Sequence, residues 1–144
     1  MPIDIDALYN ARIKALAQAA HGTGRLDAAD GAARRDSPMC GDQVRIEVRV
    51  ADGRIAALAH EVRGCLLCRA SAAMIGLHAV GTATADTARL RERVVQMLAG
   101  AEPGEDWPEL SLFVPARAHR SRHGCVLIPF EALDAAVRAA SPAG

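Results

Sequence analysis

The sequence predicts an α+β fold, a small antiparallel β-sheet packed against several helices. Two observations carry the sheet. Residues 43–50 alternate, with Val44, Ile46, Val48 and Val50 on one side and Gln43, Arg45, Glu47 and Arg49 on the other. That is the period of an antiparallel strand buried on one face. Asp52-Gly53 follows at once, the strongest short signal for a hairpin turn. The helices follow from apolar residues recurring at three- and four-residue steps on both sides of this hairpin. A chain of 144 residues is about one domain, and residues 1–144 are read as one. Its hydrophobic content of 51% is enough for a core, and 3% aromatics make that core aliphatic.

Residues 4–20 read as one amphipathic helix, with Ile5, Leu8, Tyr9, Ile13, Leu16, Ala17 and Ala20 on its apolar side, Asp4 as its cap, and Gly22 and Gly24 ending it. Residues 22–37 are rich in Gly, Ala and Asp without sustained period, which predicts a surface loop. After the strand at 43–50 and the Asp-Gly turn, a return strand covers about 54–63 and stops at Gly64. Residues 65–79 form a helix dense in Ala, Ser and Gly, small enough to lie close to the sheet. A further helix spans about 86–99, with Leu90, Val94, Met97 and Leu98 buried, Arg89, Arg91, Glu92 and Arg93 solvated, and Gly100 as its stop. Three prolines interrupt 101–124, where residues 109–114 read as a short helical turn. A last helix starts near Pro129, a favoured first helical residue.

Lys+Arg and Asp+Glu both number 17, so the net charge is zero, which argues against nucleic-acid and anionic-membrane partners. No apolar run approaches a membrane span, and Met1-Pro2-Ile3-Asp4 does not resemble a signal peptide. A cytoplasmic location is the default expectation. There, spaced thiols more often serve metal or redox chemistry than disulfides.

The chain has four cysteines. Cys40 just precedes the first strand of the hairpin and Cys65 just follows the second, so the two lie at the same end of it. Asp42 stands two residues after Cys40, with Gly41 allowing a tight turn between them. Cys125 must arrive by tertiary packing. Three thiolates and a carboxylate, from Cys40, Cys65, Cys125 and Asp42, suit a tetrahedral Zn2+ ion, and the thiolates also suit an iron–sulfur cluster. The plainer alternative makes Cys40 and Cys125 small buried residues and Asp42 a loop cap.

At these positions the chain resembles the IscU/NifU N-terminal superfamily of iron–sulfur cluster assembly proteins. Ser37-Pro38-Met39-Cys40-Gly41-Asp42 is similar to its first motif, with Ser37 where Asn is usual. Gly64-Cys65, opening an Ala/Ser-rich helix, is similar to its second. Arg122-His123-Gly124-Cys125 is similar to its third, Arg-x-x-Cys. Leu8-Tyr9 and Gly24-Arg25-Leu26 extend the likeness upstream. Gly124 stands where the IscU branch has a histidine, and the interval between Cys65 and Cys125 is long, so the likeness is to the SufU-type branch.

The resemblance implies a sheet of about three strands, and Zn2+ held by Cys40, Asp42, Cys65 and Cys125. It also implies sulfur accepted from a SufS-like cysteine desulfurase and passed towards apo iron–sulfur acceptor or scaffold proteins. Its rivals are a scaffold holding a transient [2Fe-2S] cluster on the same residues, and a structural zinc domain used only for docking. Cys40 is the candidate sulfur acceptor, because it sits in a loop beside Gly41. Cys68, Arg122 and His123 are accessory candidates. Cys68 is more simply a packing residue, His60 and His78 are more simply satisfied or exposed histidines, and the basic segment 116–123 is more simply solvated.

Overall fold

The computed structural model describes residues 10–37 and 41–140. Helix α1 (Ala11–Ala19) leads through a loop to strand β1 (Gly31–Asp36), followed by β2 (Gln43–Ala51) and β3 (Arg54–Arg63). Helices α2 (Leu66–His78) and α3 (Thr87–Leu98) come next, then a 3-10 segment (Pro108–Ala118) and the long helix α4 (Arg120–Ala140). The sheet is antiparallel in the order β1-β2-β3, so the α+β fold expected from the sequence is the one observed.

Alternation in β2 places Val44, Ile46 and Val48 fully inside, under α4, while Gln43, Arg45 and Arg49 look outward. At the hairpin Asp52 and Gly53 both take positive φ, 54° and 72°, which matches the right-handed twist of the strands. Helix α2 packs between α1, β3 and α4, and α3 packs on α4. Their apolar faces join Phe113, Phe130, Met74, Met97 and Leu133 in one core. Among the described residues no helix is long and apolar enough to cross a membrane.

Four expectations are corrected. The N-terminal helix does not run unbroken through 4–20, because Asn10 is extended (φ −69°, ψ 173°) and caps α1. Its Oδ1 accepts the N–H groups of Arg12 and Ile13, both at 3.0 Å, and Asp4 lies outside the described residues. The helix ends at Ala20 in the left-handed region (φ 49°), ahead of Gly22. The expected loop at 22–37 contains β1, whose ladder is supplied by β2 rather than by its own propensity. The loop before it is tied to the sheet through Gly22–His60, Gly24–His60 and Asp30–Val48 backbone bonds. Finally, the last helix starts at Arg120, so Pro129 is internal to it. Proline there removes the bond to the carbonyl four residues back, that of Cys125, and crowds that carbonyl, yet the helix continues on its packing against the sheet.

The Ala/Ser/Gly composition of α2 reflects a close approach, chiefly to the chain leaving α1. A Cβ built on Gly76 would sit 1.8 Å from the His21 carbonyl oxygen. That same oxygen accepts the His60 Nε2–H at 2.7 Å. His60 is buried, opposite Ile46 on the inner face, and its Nδ1 has no partner of hydrogen-bond geometry among the described residues. Burial holds its pKa below the ordinary 6.5, against the opposing pull of the His21 and Ala72 backbone. The folded state therefore binds this proton less readily than the unfolded chain. The stability associated with neutral His60 is present above about pH 6.5 and lost as pH falls. In metal-free protein, His60→Gln, which keeps a donor for His21, is expected to flatten stability between about pH 7 and 5. Denaturant midpoints across that range check this, and a wild-type profile that is already flat would contradict it.

Candidate metal centre

The hairpin register brings two of the expected donors together. Gln43 pairs with Arg63, so the residues just outside that pair, Asp42 and Gly64-Cys65, meet at one end of the sheet. Asp42 is only 2% exposed. Its Oδ1 accepts the Cys65 N–H at 3.0 Å, and its Oδ2 faces the Cys65 Sγ at 3.6 Å. Cys65 caps α2, so both groups sit at the positive end of a helix dipole, where negative charge is favoured. Gly64 is what makes room: a Cβ there would meet Asp42 Oδ1 at 2.8 Å and Cγ at 2.9 Å. The sequence marks Gly64 only as a strand end, and nothing in its spacing reveals this packing role.

The loop leading to Asp42 is closed at its base. Ser37 N–H donates to the Asp42 carbonyl and Gly41 N–H to the Ser37 carbonyl, both at 2.8 Å. Gly41 has φ 72°, the left-handed conformation expected of a glycine turn. Cys40 itself lies outside the described residues, with Pro38 and Met39.

Cys125 comes from α4, not from a segment preceding the helix, and is completely buried. The Ser71 hydroxyl on α2 donates to the Val126 carbonyl at 2.8 Å, tying the helix that carries Cys125 to the helix that begins at Cys65. One donor atom each from Asp42, Cys65 and Cys125 all lie within 4.8 Å of one another. Tetrahedral bonds of ~2.3 Å put neighbouring thiolate donors roughly 3.8 Å apart, so a small contraction would bring these three into the first shell of one ion. Two soft thiols and one carboxylate in a largely buried cluster fit a zinc ion or a thiolate-bound cluster.

The accessory candidates are placed elsewhere or used otherwise. Cys68 is fully buried in the hydrophobic core and is not part of the donor cluster. His123 Nε2 is engaged with the Arg117 carbonyl at 3.1 Å. Arg122 lies in the first turn of α4, where its N–H bonds to the His119 carbonyl. The basic segment 116–123 is not simply solvated, which corrects the sequence reading. Arg117 Nε donates to the Met97 carbonyl at 2.6 Å and its other arm to Ala101, so it caps the C-terminus of α3. His78 Nε2 pairs with Glu109 Oε1 at 2.5 Å and stacks near Trp107, away from the donor cluster.

The family model described as "NifU-like N terminal domain" matches residues 8–112. No curated protein matches the sequence. Among solved structures, a nitrogen-fixing NifU-like protein (N-terminal) from Brucella abortus shares 29% identity, with a TM-score of 0.89 over 94% of this chain and 96% of that one. A putative iron–sulfur cluster assembly scaffold protein for the SUF system, from Fervidobacterium islandicum AW-1, superposes with a TM-score of 0.85 over 93% of this chain and 99% of that one. At 19% identity, that second likeness is one of fold.

Proposed function

Because the chain belongs to the family of NifU-like N-terminal domains, we propose that it is an iron–sulfur cluster assembly protein that takes sulfur from a cysteine desulfurase at a Zn2+ centre formed by Cys40, Asp42, Cys65 and Cys125. The observation that carries this reading is the gathering of Asp42, Cys65 and Cys125 at the end of the sheet, with Asp42 and Cys125 buried and Cys65 half-buried. Chain connectivity supports the fourth ligand, since Cys40 is bonded to Gly41 and only two residues from Asp42. A bound metal keeps thiols deprotonated near neutral pH.

The division of labour follows from how each donor is held. Cys65 is fixed between β3 and α2, and Cys125 is locked inside α4. Cys40 belongs to the loop whose base is closed by Ser37, and it is the sulfur acceptor in this reading. Its thiolate attacks the outer sulfur of the desulfurase persulfide. The S–S bond of that persulfide breaks, its inner sulfur leaves as the desulfurase thiolate, and Cys40 becomes the persulfide. Sulfur moves with no net oxidation, and an apo iron–sulfur acceptor or scaffold is the next recipient.

Incubation with a cysteine desulfurase and cysteine, followed by peptide mass spectrometry, is expected to find an addition of roughly 32 Da, one sulfur atom, on the Cys40 peptide. Sulfur on Cys125 or Cys68, with Cys40→Ser still fully competent, would overturn the assignment of the acceptor. A zinc-loaded protein that never gains sulfur would point to a docking domain instead. Transfer of a coloured [2Fe-2S] cargo to an apo-acceptor without any protein persulfide would make it a scaffold. Metal analysis after anaerobic purification without added metal tests the Zn2+ assignment.

A further inference from the structure

The outward face of the sheet carries a feature that the donor cluster does not explain. An open groove of about 630 Å³ runs over β2 and β3 and is lined by Arg25, Arg34, Arg45 and Arg63, with Gln43 and Glu61. Four guanidinium groups gather here in a chain whose net charge is zero. Arg34 and Arg45 lie directly opposite each other across β1 and β2. Like charges in that position are destabilising unless anions intervene.

The carboxylates already present show the chemistry the groove accepts. Arg45 is anchored by the buried Glu47 at 3.1 Å, and this pair is built into the sheet. Arg25–Glu61 at 2.8 Å and Arg34–Asp36 at 3.1 Å are exposed pairs, of the kind that contribute little and exchange readily. Arg63 has no carboxylate partner among the described residues. Arg63 and Gln43 form the last pair of the β2–β3 ladder, one residue from Gly64 and Asp42, so the groove opens beside the donor cluster.

We propose that this groove seats an extended acidic segment of a partner protein, with its carboxylates on Arg34, Arg45 and Arg63, and so brings that partner to the edge of the metal centre. The spacing favours a peptide over a single small anion. The Arg34/Arg45 row and the Gln43/Arg63 row are two residues apart along β2. That is about 6.8 Å, the same repeat at which an extended peptide presents alternate side chains on one side. A nucleic acid fits less well, because no aromatic side chain lines the groove to stack a base, and Glu61 stands in it against a continuous phosphate backbone.

A fluorescein-labelled hexaglutamate peptide, titrated with the full chain and followed by anisotropy, tests this. It is expected to bind, to weaken steeply with salt, and to lose roughly tenfold in affinity with either Arg34→Glu or Arg63→Glu. Both are exposed positions, and unchanged thermal unfolding verifies that the variants fold. Arg89→Glu, on α3 away from the groove, is expected to leave binding unchanged. Amide shifts in an NMR titration should cluster on residues 34, 43, 45 and 63. Absence of hexaglutamate binding at low salt would overturn the proposal. So would equal loss in the Arg89 variant, full competition by inorganic phosphate at matched charge, or tighter binding of an oligothymidylate of the same charge. The readout is binding alone, so failure here is distinct from failure of the metal or sulfur-transfer reading.

Discussion

Gly76→Ala is expected to destabilise the protein by about 3 kcal/mol, lowering Tm by roughly 10 °C, although it adds a single methyl group on a helix. Alanine is intrinsically the better helix former, by up to about 1 kcal/mol, so propensity alone predicts the opposite sign. Packing decides otherwise. The new Cβ would lie 1.8 Å from the His21 oxygen, 2.4 Å from its carbonyl carbon and 2.9 Å from the Gly22 nitrogen. These are backbone atoms, and no rotamer can move them aside. Relief requires α2 to separate from the chain leaving α1. Where the 21–22 segment yields instead of α2, its bond from His60 on β3 is strained as well, which adds to the cost. Urea unfolding of the purified variant checks the figure, and a loss below about 1 kcal/mol would show that the α1–α2 contact yields more easily than packed interiors do.

Removing a thiolate from the centre is expected to have the largest effect on metal. Cys65→Ser and Cys125→Ser should each lower Zn2+ affinity by more than roughly 100-fold, beyond the cost of losing a group that merely hydrogen-bonds to a ligand. Any stability conferred by the bound ion should go with it, as mass action requires. Asp42 separates two roles. Its carboxylate is a candidate ligand and, through Oδ1, the acceptor of the Cys65 N–H. Asp42→Asn retains an acceptor for that N–H but not the charge, so metal affinity should fall while the metal-free fold keeps its stability. Asp42→Ala loses both and should cost a further 1–2 kcal/mol or so in metal-free protein, the penalty for an orphaned buried N–H. Metal titration alongside thermal unfolding of the four variants distinguishes these effects. Equal metal-free stability of the Asn and Ala variants would remove the structural role assigned to Asp42.

What could be read in advance follows physical range. β2, the Asp-Gly turn and β3 are local patterns, and their hairpin alone places Asp42 near Cys65. Helix α2 is equally local, with Cys65 at its start. β1 could not be read, because Gly-Ala-Ala-Arg-Arg-Asp has neither alternation nor β-branched residues and owes its conformation to the neighbouring strand. Pro129 misled because its preference for a first helical turn is a local tendency. Tertiary packing overrides it once α4 is laid against β1 and β2. The arrival of Cys125 beside Cys65 is likewise a product of how α4 crosses the sheet and of the Ser71–Val126 tie, neither of which has a signature along the chain. The resemblance to a family supplied that residue where spacing could not.

Gly31 gives β1 and α4 a relation with a further consequence. A Cβ on Gly31 would lie 2.3 Å from the Ala136 oxygen and 2.5 Å from the Ala140 nitrogen, so the start of β1 is seated directly on the last turns of α4. At the other end of β1, Ser37 is bonded to Asp42, and its hydroxyl is 4.0 Å from where a Gly124 side chain would begin. Strand and helix are thus seated on each other tightly at the Gly31 end, and at the other end β1 leads to Asp42 while α4 carries Cys125. The conformational entropy of bringing these two donors together is lost when the chain folds, not when an ion arrives. If the proposed centre takes up an ion, these two donors should therefore need little reorganisation of the sheet or of α4 to receive it.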